Sequence, residues 1–147
     1  MWSAVSVSAR FLQFGGAISF LGASLFPAYA FSPSAANKAD PRRRWLEHVI
    51  VISIMAAIGG TLLWVVAEAG LFNADPQDGM SLGAVWVVLS ETRFGRASLM
   101  RVALLVLALA TTFIFRAGAL RGFLQATLAT LVISTFPWTG HGATDSG

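Results

Sequence analysis

The chemistry available to this chain is narrow. It holds two histidines, four methionines, seven acidic residues and no cysteine. Disulfides, CxxC redox chemistry and thiolate metal sites are excluded at once. A soft metal ion would have to be held by imidazole or thioether, with carboxylates as harder helpers. His141, within Trp138-Thr139-Gly140-His141-Gly142, is the first candidate, because imidazole is both the commonest metal ligand and a proton carrier. The blander reading of His141 is a solvated residue at a helix end. His48 follows three arginines, which favours a structural role. Glu68 and Arg101 are charges within or beside long apolar runs, where an ionised group is costly and often functional. Thr127, Thr130 and Ser134 fall on one face at the ~100° per residue of a helix. Ser53, Ala57, Gly60, Trp64 and Glu68 share another. Such stripes read either as ordinary small-residue helix contacts or as the lining of a solute or ion pathway. There is no nucleophile–base pair, no glycine-rich phosphate loop and no HExxH motif, so enzymatic activity is not expected.

The elements that must position these residues are transmembrane helices. Of the 147 residues, 56% are hydrophobic and 12% are charged. Soluble domains carry ~25% charged residues, and ten bases with seven acids cannot wet the surface of a soluble domain this long. A bilayer core takes ~20 apolar residues per helix. Four segments meet that length or nearly meet it: about residues 11–31, 48–72, 97–115 and 122–138. The fold class is therefore an all-α integral membrane protein, one domain over residues 1–147. Between the second and third segments, turn-rich Asn73 to Gly79 leads to a short apolar run, Ser81 to Ser90. That run is too short to span and reads as an interfacial or re-entrant helix.

The net charge is +3, but the bases lie between apolar segments rather than along a polar face. They speak for membrane orientation, not for a nucleic-acid partner. Lys38, Arg42, Arg43, Arg44, Arg116 and Arg121 fall on one side. Arg10, Arg93, Arg96 and Arg101 fall on the other. Basic loops favour the cytoplasm, which places both termini outside, in the periplasm of a bacterial inner membrane. Arg10, the apolar run after it and Ala28-Tyr29-Ala30 also mimic a cleavable signal peptide. The triple arginine and the length of the run favour a retained first helix. On this topology His48 and His141 lie at opposite faces, which disfavours bis-histidine haem ligation within one chain. Glu68, Arg101 and His141 lie at similar depths and could meet, and the blander reading of Glu68 is an interfacial acid exposed to water or paired with Arg101.

Three stretches resemble the N-terminal half of the copper resistance protein D family of inner-membrane proteins. They are Ala9-Arg10-Phe11-Leu12-Gln13-Phe14-Gly15-Gly16, Glu91-Thr92-Arg93-Phe94-Gly95-Arg96 with Arg101 after it, and the segment around His141. Members of that family look about twice as long, so the resemblance implies a truncated or split chain. It also implies copper transport or copper tolerance, with His141 as a copper ligand. Met80 and Met100 are reasonable companions, since Cu(I) accepts imidazole and thioether. Copper would pass from that outward site into a polar helix interface. The implied partners, besides membrane lipid, are a periplasmic copper-binding protein of the copper resistance C type and a second half or further copy of the chain. Two other readings stand beside this one: a membrane scaffold or assembly subunit without metal, and a haem-binding electron carrier that pairs His141 with a ligand from another chain.

Overall fold

The computed structural model describes residues 2–30, 41–72 and 81–139. Five helices make up the described chain: α1 (Trp2–Ala30), α2 (Pro41–Phe72), α3 (Leu82–Glu91), α4 (Arg93–Ile114) and α5 (Ala119–Ser134). A 3₁₀ turn, Phe136–Thr139, follows α5. Four helices are long and apolar enough to cross a membrane: α1, α2, α4, and α5 with its 3₁₀ extension. The protein is a multi-pass α-helical membrane protein, as the composition requires. Leu12, Ile18, Ile52, Leu62, Val106 and Phe113 point outward, which a bilayer accommodates and water would not.

The helix boundaries extend the sequence reading at its polar ends. The first helix begins at Trp2, not near residue 11, so that Arg10 lies inside it. The second begins at Pro41, not at His48, and includes the triple arginine. Proline suits that first position, because its missing N–H would be unpaired there in any case. The side chain of His48 turns back within the helix, where Nδ1 donates to the Arg44 carbonyl at 2.7 Å. The third spanning helix starts four residues early, at Arg93, where Thr92 caps it by accepting from the Gly95 N–H at 2.8 Å. The short apolar run forms α3, capped by Ser81, whose hydroxyl accepts from the Ala84 N–H.

The spanning helices form a ring in the order α1, α2, α4, α5. The α1–α2 pair is the closest, and glycine sets its spacing. A Cβ at Gly16 would stand 2.7 Å from both the Ala57 nitrogen and the Ser53 carbonyl oxygen. One at Gly60 would stand 2.5 Å from the Gln13 nitrogen and 2.8 Å from the Ala9 oxygen. Each glycine thus admits the other helix's backbone, the small-residue packing that replaces a hydrophobic driving force in lipid. The neighbours Gly15 and Gly59 face open space.

Two apolar clusters hold the bundle. The larger joins Ala17, Phe20, Ile50, Ile54, Leu105, Leu128 and Val132 from all four spanning helices. The smaller joins Val65 and Ala69 of α2 to Val88 of α3, with Phe94 of α4 against them. Helix α3 is thereby laid across the ends of α2 and α4, with Leu82, Trp86 and Val87 left exposed. One apolar face on the bundle and one outward, with a Trp on it, fits a helix at the membrane interface. The turn from α3 into α4 depends on Gly95, where a Cβ would run into the Val88 carbonyl and the Leu89 backbone. A Gly95→Ala variant is expected to lift α3 off the bundle while the four long helices stay assembled. Faster proteolysis in the α3 segment, with little change in global unfolding, would show it. An unchanged cleavage rate would contradict this account of the junction.

Candidate functional site

The α3 end of the bundle holds one group of interacting polar and charged side chains. Arg10, three residues before the buried Gln13 of α1, is itself exposed, yet its side chain reaches α2. Its guanidinium lies 4.6 Å from the centroid of the Trp64 ring and 3.6 Å from the Glu68 carboxylate. Trp64 donates its indole N–H to the same Glu68 oxygen at 2.8 Å. The far side of that ring cluster is Phe94 of α4, edge-on to Trp64 at 4.8 Å. Glu68 is thus held by an arginine and an indole, each from a neighbouring turn or helix. A cation stacked on Trp and shared with a carboxylate is favourable at a half-buried site.

Arg101 does not pair with Glu68, the meeting that their similar depth allowed. It is fully buried, donating from Nε to the Thr135 hydroxyl at 2.8 Å and from Nη2 to the Thr135 carbonyl at 3.1 Å. Its guanidinium lies 4.7 Å from the Phe136 ring centroid, and Phe136 packs edge-on against Phe14 of α1 at 4.5 Å. The similar depth of Glu68 and Arg101 therefore does not bring them together. Glu68 turns to α1, while Arg101 turns to the carbonyl end of α5, where cations are favoured and the last carbonyls lack helical partners. Arg101 ties α4 to the chain that leaves α5, four residues before the 3₁₀ turn ends at Thr139.

These contacts belong to a buried polar layer that the larger apolar cluster underlies. Gln13 of α1, Thr61 of α2, Ser98 and Arg101 of α4, and Thr135 after α5 are all buried. Every spanning helix contributes to it. Thr61 is satisfied within its own helix by the Ala57 carbonyl. The Gln13 carboxamide is completely buried, and neither of its polar atoms has a hydrogen-bond partner among the described residues. The Ser98 hydroxyl is in the same condition. Leaving a buried polar group unmatched costs ~1–3 kcal/mol, so these positions are suited to groups that accept or donate hydrogen bonds. Sequence reasoning passed over Gln13 and Ser98. The available signal was the spacing Arg10, Gln13, Gly16, Phe20, which places one amide on the small-residue face of an otherwise apolar helix.

The hydroxyl stripe of the fourth spanning helix lies elsewhere. Thr127, Thr130 and Ser134 share a face, but it is the exposed face of α5 and not a lining of the bundle. The inward face carries Gln125, Leu128, Ala129 and Val132. The reason is local. Thr130 donates to the Ala126 carbonyl and Ser134 to the Leu131 carbonyl, so neither hydroxyl needs a partner from another helix. The stripe of α2 behaves oppositely: Ser53, Ala57, Gly60 and Trp64 are buried, mostly against α1, and Glu68 is half-buried.

Met100 is exposed in the second turn of α4, one residue from Arg101. Met80 and His141 lie outside the described residues. In sequence, Met80 directly precedes the Ser81 cap and His141 follows Thr139 by two residues. No group of three or more His, Asp or Glu side chains suited to a metal ion occurs among the described residues.

The family model for the copper resistance protein D-like N-terminal domain matches residues 1–147. The chain belongs to that family. The match covers the whole chain, including all three stretches on which the resemblance rested. It makes the protein a member of a copper-related family of membrane proteins. No curated protein and no solved structure matches the chain.

Proposed function

We propose that this copper resistance D-like domain takes up or hands on copper at the α3 end of the bundle, as part of copper movement across a bacterial inner membrane. One observation supports this reading above the others: Met100 lies at that end, as do Ser81 and Thr139, the described residues that Met80 directly precedes and His141 follows by two positions in sequence. Arg101 and Thr135 hold α4 and the chain leading to His141 together there. Met80 precedes in sequence the Ser81 cap of α3, a helix that packs on α4. An imidazole with one or two thioethers is a donor set that Cu(I) accepts. The role is one of binding and transfer, not of enzymatic catalysis. On the proposed topology this end and both termini face the periplasm, where a copper resistance C-type protein would exchange the ion.

The route beyond that site does not lead down the middle of the four helices. Below the polar layer, Ile54, Ala57, Leu105, Ala108, Ala129 and Val132 close the interior with apolar side chains. A buried guanidinium at the top of that path also opposes a cation. The exposed face of α5, with Thr127, Thr130 and Ser134, offers the alternative. There, oxygen groups would line a path once a further helix, from a second copy or from another chain, lies against them. A scaffold role without metal predicts the same fold and no copper dependence.

Competition for Cu(I) against a chromophoric chelator tests the site. The detergent-purified chain is expected to bind copper, and His141→Ala is expected to lose most of that binding. Met80→Leu and Met100→Leu should each weaken it less. Equal binding in wild type and His141→Ala would place the site elsewhere, and no binding in either would favour the scaffold role.

A further inference from the structure

The opposite end of the bundle carries a cleft that the copper reading does not use. Its volume is about 510 Å³, and it lies between the end of α1, the start of α2 and the start of α5. Two guanidiniums, Arg43 and Arg121, line it against a single carboxylate, Glu47. Arg121 donates to Glu47 at 2.6 Å and to the Thr112 carbonyl at 3.3 Å, so its position is set by two other helices. The start of α5 reinforces the positive character. Gly118 and Ala119 are part of the wall, Gly118 provides no side-chain cap, and the first turn of α5 has no acid. A helix start with free N–H groups and an arginine in place of an acid favours a nearby anion. Arg42, Arg44 and Arg116 neighbour the lining in sequence.

The rest of the wall is apolar. Leu25 and Pro27 of α1, Leu46 and Ile50 of α2, and Phe123 and Ala126 of α5 line it. Leu25 and Phe123 are exposed, so this wall continues onto the outer, lipid-facing surface of the bundle. A soluble anion has no use for such a wall, whereas an acyl chain does.

We propose that this cleft binds an anionic phospholipid, with its phosphate between Arg43 and Arg121 and an acyl chain along Leu25 and Phe123. Basic pockets between transmembrane helices are recurrent sites for anionic lipid headgroups. The site joins the end of α1 and the start of α2 to the start of α5, so a bound lipid braces the end of the bundle away from α3. The inference is independent of copper.

The experiment uses the full chain in nanodiscs made from phosphatidylglycerol and phosphatidylcholine in equal parts. The discs are dissolved in mild detergent, and the lipid that stays on the protein is quantified. Wild type is expected to retain phosphatidylglycerol in preference to phosphatidylcholine. Arg43→Gln should weaken that preference about fivefold, the effect of one arginine near an anionic headgroup. Phe123→Glu, at an exposed position that leaves the core intact, should abolish it by putting a carboxylate on the acyl wall. Arg93→Gln, at the other end of the bundle, should leave it unchanged. Equal retention of both lipids, or full retention in Arg43→Gln and Phe123→Glu, would overturn the proposal. So would thermal stabilisation by inorganic phosphate equal to that by phosphatidylglycerol, which would mark an anion site without a lipid.

Discussion

Alanine at Gly60 or Gly16 is expected to be the most damaging small substitution in the protein. At either position the added methyl meets backbone atoms at 2.5–2.8 Å, and backbone cannot swing aside as a side-chain tip can. Over-packing of this kind costs ~1–3 kcal/mol when the surroundings shift, and valine would cost more than alanine. The closeness of α1 to α2 also sets the contact of Arg10 with Trp64 and Glu68. One methyl group therefore disturbs both the packing and the charged cluster. Gly15 and Gly59 are matched controls, since a Cβ at either meets nothing within 4 Å. Alanine there should be neutral or stabilising by up to ~1 kcal/mol, because glycine is a poor helix former. Unfolding of the four variants in mixed micelles with a denaturing detergent measures this directly. Losses as large at Gly15 and Gly59 as at Gly16 and Gly60 would refute the glycine contact as the determinant of the pair.

The second large effect is expected at Arg101. Replacing it with leucine removes both bonds to Thr135 and the stack on Phe136. Hydrogen bonds to charged groups are worth ~1.5–3 kcal/mol in soluble proteins, whereas bonds between membrane helices average only ~0.6. Two such bonds place the loss at roughly 1–6 kcal/mol, with the membrane average favouring the lower part of that range. Lysine should not restore it, because a single ammonium cannot reproduce the two directed bonds from Nε and Nη2. Thr135→Val, which keeps the carbonyl acceptor, should cost about half as much. The functional readout differs from the stability readout. Because Arg101 fastens the segment that leads to His141, Arg101→Leu should weaken Cu(I) binding in protein that still elutes as a folded species. Unaltered stability together with unaltered copper affinity would remove Arg101 from both roles.

The sequence determined a good deal about this protein by itself. Four spanning segments, a short interfacial helix and the absence of a soluble surface follow from composition and run length. These are properties along one dimension, and the bilayer enforces them by denying unpaired backbone any solvent. The motifs around Arg10, Arg93 and His141 were enough to indicate the family. Helix ends were read too short at the charged sides, at Arg10, at Arg42 to Arg44 and at Arg93. A hydropathy argument stops at a charge, but a helix continues through it when the side chain finds a partner or water.

What only the tertiary structure decided is how each helix is turned and which polar groups meet. In water, a polar stripe marks the outside of a helix and an apolar stripe the core. In lipid, both faces can be apolar, and hydroxyls can bond to their own helix. Thr127, Thr130 and Ser134 therefore gave no dependable sign of facing inward. Depth along the membrane was legible, and it correctly set Glu68 and Arg101 toward the same end. Depth does not fix azimuth, however, and azimuth gave Glu68 to Arg10 and Arg101 to Thr135. The same holds for the glycine pairs: Gly15 and Gly16, or Gly59 and Gly60, are alike in sequence. Only a rotation of ~100° about the helix axis separates the glycine that admits a neighbouring backbone from the one that faces the lipid.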